Sequence, residues 1–179
     1  MMIKLTREEM LTEWKRRKGM IPVSTSTLEI TRTISETVDD MLLSEIDDWY
    51  AGLLLTEPVD MLPVRDIAPQ AEVVDMGDGS VEVHLPDSCV RVVTVRMSGW
   101  RQPARIVEAD SATARMQSSR YVSGKTHAPV AVRHGRKLTL YGNHGGAVLS
   151  ELRCVAPPAD GSYELERALL AGIDNFQSV

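Results

Sequence analysis

The first third of the chain repeats its hydrophobic residues every three or four positions, which is the period of an α-helix. A capping box of Thr6 and Glu9 predicts a first helix, which ends at Gly19. A second capping box at residues 26–29 predicts a longer helix. Its apolar stripe consists of Ile30, Ile34, Val38, Met41 or Leu42, Ile46, Trp49 and Leu53. We therefore expect residues 1–57 to form a helical part.

After three prolines the hydrophobic period changes from helical to two, which is the period of a β-strand. Residues 71–76 and 81–86 flank a glycine-rich turn and predict a hairpin, with Val81, Val83 and Leu85 on its inner face. The pattern thus predicts that β structure replaces helix in the middle of the chain.

Further strands are predicted along the same region. They are residues 90–97 with 103–107 as the returning partner, a second hairpin of 129–133 and 137–141, and a strand over 148–155. A long polar loop is expected near residues 110–128. Residues 70–156 should then hold five to seven antiparallel strands in a sheet or small barrel.

The last amphipathic segment predicts a C-terminal helix over residues 160–177. Its stripe consists of Leu165, Leu169, Ile173 and Phe176. The predicted fold class is α+β in a single domain over residues 1–179, with N-terminal helices, a central antiparallel β part and a C-terminal helix.

The formal net charge of -5 hides a strong separation of charge along the chain. Residues 28–87 carry a net -13 and residues 88–137 a net +8. The basic centre contains Arg91, Arg96, Arg101, Arg105, Arg115, Arg120, Lys125, Arg133, Arg136 and Lys137. Unlike charges steer association and fix register. Two partners fit these cations equally: DNA phosphates, or an acidic protein face such as that of a neighbouring copy.

Two other charge clusters have simpler interpretations. The acidic pairs Asp39-Asp40 and Asp47-Asp48 lie on a predicted helix, where adjacent side chains point about 100° apart and do not jointly hold one ion. They predict a solvated or partner-facing acidic surface. The basic run over residues 15–18 predicts a solvated helix end, with a partner or phosphate contact as the alternative.

No motif of the sequence supports an enzyme. Residues 123–126 imitate the end of a phosphate-binding loop, but Ser119 stands where that motif needs glycine. The four histidines lack metal-ligand spacing. We therefore predict no catalytic, cofactor-binding or metal-binding residue. The loop Gly142 to Gly146, which contains His144, predicts a tight turn; the alternative is a cytoplasmic β-barrel ligand-binding module or small enzyme that uses this loop.

The sequence shows no secretory signal, and its longest apolar run, residues 51–55, is far shorter than a membrane span. These features predict synthesis in the cytoplasm and no membrane partner. In that reducing compartment Cys89 and Cys154 are expected to be small buried hydrophobic residues, with a disulfide between them as the alternative.

The middle of the chain resembles the small head-to-tail connector proteins of tailed bacteriophages, also called adaptor, gatekeeper or neck-ring proteins. The resemblance begins in residues 83–95, where Leu85, Pro86 and Asp87 precede a strand rich in arginine and valine. It continues in Pro129-Val130 and in the Lys-Leu-Thr-Leu-Tyr run of residues 137–141. The order of predicted elements is similar over residues 5–175.

This resemblance implies a structural role in the virion, in a protein made in the cytoplasm of a bacterial host. Members of the group assemble as rings, often dodecamers, beneath the portal. It further implies contacts with the portal protein and with tail or other neck proteins, around a passage for DNA that the ring touches without reading its sequence.

Overall fold

A computed structural model describes residues 1–20, 29–117, 119, 123–142 and 148–176, with the backbone alone described for residues 29–37. Its elements in chain order are β1 (Met2–Leu5), α1 (Arg7–Arg17), α2 (Glu29–Thr56), β2 (Val64–Asp66), β3 (Glu72–Asp75), β4 (Ser80–His84), β5 (Arg91–Met97), β6 (Arg105–Glu108), α3 (Ala112–Met116), β7 (Val130–His134), β8 (Lys137–Tyr141), β9 (Leu149–Val155) and β10 (Tyr163–Glu166). Short 3₁₀ helices cover Val59–Met61, Ala68–Gln70 and Arg167–Asn175. The α+β class predicted from the sequence is confirmed.

The chain divides into two compact units. Residues 1–63 and 157–179 form the first, which we call the helical unit, and residues 64–156 form the second, the β unit. The sequence predicted one domain with three successive parts. The structure instead joins the C-terminal segment to the N-terminal one, because β1 and β10 pair as a two-stranded antiparallel sheet.

The start of α1 confirms the predicted capping box. The Glu9 amide donates to the Thr6 hydroxyl at 3.2 Å, and the Glu9 carboxylate accepts from the Thr6 amide at 2.8 Å. The helix ends before Gly19, whose φ of 67° is disfavoured for residues with a side chain. The second capping box lies outside the described residues, except for Glu29.

Helix α2 buries part of the predicted stripe, namely Leu42, Ile46 and Trp49. Val38 and Met41 are exposed. The buried side chains are Leu42, Ile46, Trp49, Tyr50 and Leu54. Tyr50 and Leu54 lie outside the predicted stripe, and an aromatic contact explains why this side of the helix is buried. Trp14 of α1 packs edge-to-face on Trp49, with 5.5 Å between the ring centroids, so the helix turns that side inward.

The predicted C-terminal α-helix over residues 160–177 is wrong in type. Its first part is strand β10, and the remainder is the 3₁₀ helix Arg167–Asn175. Tyr163 and Leu165 are both buried, a period of two that the helical stripe concealed. Leu165 lies opposite Ile3 of β1, so pairing with the N-terminal strand decides the conformation.

The β unit contains a five-stranded sheet of order β3-β4-β8-β7-β6 and a three-stranded sheet of order β2-β9-β5. Both predicted hairpins are present, as β3–β4 and β7–β8. Val81, Val83 and Leu85 face the core as predicted. The strands form open sheets rather than the small barrel offered as an alternative, since β3 and β6 stand at sheet edges.

Two predictions for this unit need correction. Residues 103–107 do not return along β5, which pairs with β9; β6 runs parallel to β7 instead, with Arg105 opposite Val130. Only the Ala104 amide bonds back to β5, at the Val95 carbonyl, 2.9 Å away. The long loop predicted near 110–128 contains the short helix α3, which Ser111 caps by accepting from the Ala114 amide. A parallel pair needs such a crossover connection.

Candidate functional site

The basic centre is divided among several elements: Arg91 and Arg96 lie on β5 of the three-stranded sheet and Arg115 lies in α3, while the other described cations lie near two ends of the five-stranded sheet. The β6–β7 register places Arg105 beside Val130, where β7 begins. Arg133, Arg136 and Lys137 lie at the opposite end, around the turn from β7 to β8. The sequence could not separate these groups, since strand direction decides which end each residue occupies.

Two of the three cations at the β7–β8 turn, Arg136 and Lys137, pair with carboxylates of the β unit, whereas Arg133 donates to the Gly135 carbonyl at 3.2 Å. The Arg136 guanidinium lies 3.1 Å from an Asp87 carboxylate oxygen, and Lys137 Nζ lies 2.8 Å from Glu82. His84 is 2.5 Å from the same Glu82 oxygen. The bonds from Lys137 and then His84 hold the pKa of Glu82 below its usual value. The Lys137–Glu82 pair links β8 to β4, and these contacts partly neutralise Arg136 and Lys137.

The other end carries three exposed cations, Arg101, Arg105 and Lys125, which we call the arginine surface. The backbone brings them together: the Arg101 amide donates to the Thr126 carbonyl at 3.0 Å, and the Arg105 amide to the Pro129 carbonyl at 2.9 Å. None of the three side chains lies within 4.0 Å of a carboxylate in the described part of the chain. This surface is therefore not neutralised by its own unit.

A buried tryptophan fixes the backbone under the arginine surface. Trp100 is 3% exposed, and its indole N–H donates to the Gly142 carbonyl at 2.9 Å. The Arg96 guanidinium donates to the Trp100 carbonyl at 3.0 Å. Gly142 has a φ of 106°, and a Cβ there would lie 2.9 Å from the Lys125 backbone. The position thus requires glycine. The contacts of Trp100 and Gly142 hold the backbone that carries the three cations in place.

The chemistry of this surface is anion binding. Guanidinium and ammonium groups donate to phosphate or carboxylate oxygens. The ring of Trp100 is buried, so it does not stack on a base, and phosphate contact without base stacking is what the surface offers.

A second, unlike surface lies at the other edge of the same sheet. All four residues of β3, Glu72, Val73, Val74 and Asp75, are exposed, and Met76 beyond them is 53% exposed. We call residues 72–76 the β3 edge. Val73 also lines a shallow groove of about 490 Å³. The other lining residues are Asp66, Ala68, Pro69, Val148, Leu149 and Ser150. An apolar edge strand flanked by carboxylates is a natural contact for another chain.

The remaining candidates do not join a site. Lys125 forms a bridge with Ala128 instead of starting a helix, so residues 123–126 have no phosphate-loop geometry. Residues 143–147 of the proposed ligand loop lie outside the described residues, as do Arg120 and Tyr121. Gly142, its described member, serves the Trp100 contact.

The charge clusters of the helical unit also have structural partners. Asp39 lies 2.5 Å from Lys15, and Asp47 lies 2.9 Å from Arg7. Asp47 also accepts from the Tyr163 hydroxyl at 2.5 Å, and burial, then this bond, raise the pKa of Tyr163. Lys15 belongs to the basic run of residues 15–18, so the helix end that was predicted to be solvated is partly bound in ion pairs within the helical unit.

Among the described residues, no group of three or more His, Cys, Asp or Glu side chains is arranged to hold a metal ion. No described helix combines the length and hydropathy needed to cross a membrane. Comparison with known proteins adds no relative: no protein-family model matches this chain, and no curated protein matches it significantly.

Proposed function

We propose that this chain is a structural subunit of a ring that connects the head of a tailed bacteriophage or prophage to its tail. In this proposal the ring binds the portal on one side and tail or further neck proteins on the other, and it surrounds the DNA passage. The sequence resemblance in residues 83–95 and 129–141 motivates the assignment.

The observation that carries the proposal is the unlike charge at the two edges of one sheet. The β3 edge is acidic and apolar, whereas Arg105 of the arginine surface opens β6 at the other edge. Four strand spacings separate β3 from β6, roughly 19 Å. Subunits of a ring meet through two different faces, and opposite charges on those faces set one direction of assembly.

The charge of the helical unit extends the argument. Its residues carry a net -8, against a net +3 for the β unit. An acidic surface of a neighbouring copy and the phosphates of DNA are both suitable partners for the arginine surface. Both are consistent with a ring subunit, so the test must distinguish them.

Native mass spectrometry and electron microscopy test the assembly. We expect the wild-type chain, alone or mixed with portal and tail proteins encoded beside it, to form closed rings. The double charge reversal Arg101→Glu with Arg105→Glu should prevent ring closure, and Glu72→Lys with Asp75→Lys should do the same. A mixture of the two double variants should recover mixed assemblies, because the reversed faces are again complementary.

Arg153→Glu provides the matched control, because this exposed arginine of β9 lies outside both surfaces. It should assemble normally. If both double variants form rings and only the variant with Arg101→Glu and Arg105→Glu loses retention of duplex DNA, the arginine surface faces DNA instead of a neighbouring copy. A chain that stays monomeric under every condition, including with portal and tail proteins, would overturn the proposed function.

A further inference from the structure

The outer side of edge strand β3 is open along the backbone. Alternate residues of an antiparallel strand bond to the neighbouring strand, and the Met76 amide donates to the Ser80 carbonyl at 3.2 Å. The amide and carbonyl groups of Val73 and Asp75 therefore point away from β4, and the described residues offer them no backbone partner. Such an edge accepts a further strand.

The outer side of edge strand β6 is shorter, because parts of it are already bonded. The Arg105 amide donates to the Pro129 carbonyl across the parallel ladder with β7, so the amide and carbonyl of Ile106 face away from β7. The Glu108 carbonyl accepts from the Ser111 amide at 3.1 Å, and the alanine before β6 bonds to β5. A strand that joins β6 is therefore centred on Ile106.

The two edge strands run in opposite directions within one sheet. Three antiparallel pairs and one parallel pair lead from β3 through β4, β8 and β7 to β6. A neighbouring copy that extends the sheet without turning it over therefore presents its β6 antiparallel to β3. Two copies of β3 suit one another less, because their pair would bring together the carboxylates of Glu72 and Asp75 from both copies.

We propose that the sheet continues from one copy to the next, with β3 of one copy paired antiparallel to β6 of its neighbour. This inference rests on the proposed ring and names the strands through which its subunits meet. The outward backbone groups allow two registers: Ile106 lies opposite Val73 in the first and opposite Asp75 in the second. In the first register two apolar side chains meet across the join.

Charge distinguishes these two registers. In the first, Arg105 lies diagonal to Glu72 across the join, which is within reach of a long side chain. In the second, Glu108 lies diagonal to Asp75, and like charges oppose the pair. We therefore expect the first register, in which the arginine surface contacts the β3 edge through Arg105.

Cysteine cross-linking of the full-length protein with copper phenanthroline tests the strands and the register together. Val107 lies opposite Glu72 in the first register and opposite Val74 in the second, in each case as a pair without mutual backbone bonds, the closest kind. The double variant Glu72→Cys with Val107→Cys should give a ladder of linked multimers on non-reducing gels, roughly tenfold more than Val74→Cys with Val107→Cys. A link within one chain is excluded, because the two strands lie roughly 19 Å apart.

The wild-type chain is the control for native thiols. Cys89 and Cys154 are free and buried, as the sequence predicted, so the untouched protein should give no ladder under the same oxidation.

A proline at Val73 tests the backbone bonds without changing charge. Val73→Pro removes an amide that points away from β4 and leaves the β3–β4 bonds in place, so ring formation should fall at least about tenfold in native mass spectrometry. Val73→Thr keeps that amide and should assemble as the wild type does. Circular dichroism checks that both variants are folded, and the cross-linking result stands independently of them.

The outcomes separate this inference from the proposed function. Wild-type rings with no ladder from either cysteine pair, or rings that persist in Val73→Pro, would overturn the shared sheet and leave the ring in place. A link from position 72 to a portal or tail protein instead of a second copy would overturn it as well. A ladder from Val74→Cys with Val107→Cys alone would overturn the register. A chain that joins no assembly under any condition would overturn both the shared sheet and the proposed function.

Discussion

The helical unit and the β unit use their positive charges differently. Each described cation from Lys4 to Lys18 binds within its own unit, five to carboxylates and Lys18 to the Phe176 carbonyl. The arginine surface of the β unit has no such partner in the described residues. Bound cations organise a fold, whereas exposed cations without a partner remain available to another molecule.

The two units also differ in how each holds a buried tryptophan. Trp14 packs among rings in the helical unit, 5.8 Å from Phe176 between ring centroids, and its indole N–H has no hydrogen-bond partner among the described residues. Trp100 in the β unit donates its N–H to Gly142. The Trp14 ring therefore contributes packing, whereas Trp100 also holds the backbone of the arginine surface in place.

Replacing Trp14 has the largest expected effect on stability. Trp14→Ala should lower the free energy of unfolding by about 3–5 kcal/mol, because it opens a large cavity in the aromatic core. Urea denaturation followed by circular dichroism measures the loss. A loss below about 1 kcal/mol would show that the ring does not organise this core.

Replacing each of the two tryptophans with phenylalanine separates the contribution of packing from that of the hydrogen bond. Trp14→Phe should cost clearly less than Trp100→Phe, because only the second change removes a hydrogen bond and leaves the Gly142 carbonyl without its donor. The same urea titrations compare the two variants. Equal losses would mean that the Trp100 bond contributes nothing beyond packing.

Gly142 gives the next largest effect. Gly142→Ala should destabilise by roughly 2–3 kcal/mol in urea denaturation, since the new Cβ would meet the Lys125 backbone and the φ of 106° is unfavourable for alanine. Gly135 is the matched control, because its φ is 60° and a Cβ added there would have nothing within 4 Å. Gly135→Ala should cost only about 1 kcal/mol. Similar losses at both positions would contradict the close approach at Gly142.

Much of the local structure follows from local sequence signals. The Thr6–Glu9 capping box and the turns of both hairpins carry their own information, and all three lie where the sequence places them. The inner face of β4 was also predictable from its alternation. These features depend on neighbours within a few residues.

The predictions that were wrong concern elements whose conformation depends on residues far away in the sequence. Strand β10 forms because β1 lies beside it, and β6 runs along β7 because a crossover places it there. The arginine surface needs the same long-range information, since Arg101 meets Thr126 only in the folded sheet. The basic composition was visible in the sequence, but the separation of bound from exposed cations was not.

Glu13 offers the smallest and most specific test of the two uses of charge. Arg16, followed by Arg17, holds the pKa of its carboxyl down to about 2, against 4.5 for the free group. Because the folded pKa is the lower one, the ionised carboxylate stabilises the fold above pH 4.5, and this contribution disappears as pH falls toward 2. Glu13→Gln should cost about 1 kcal/mol at neutral pH after allowance for solvent screening, and less at pH ~3. Arg101→Gln, the matched change on the arginine surface, should stay within about 0.5 kcal/mol of wild type at both values in the same urea titrations. A Glu13→Gln loss that does not change with pH would show that its ion pairs contribute nothing to stability, and the contrast between the two units would then rest on geometry alone.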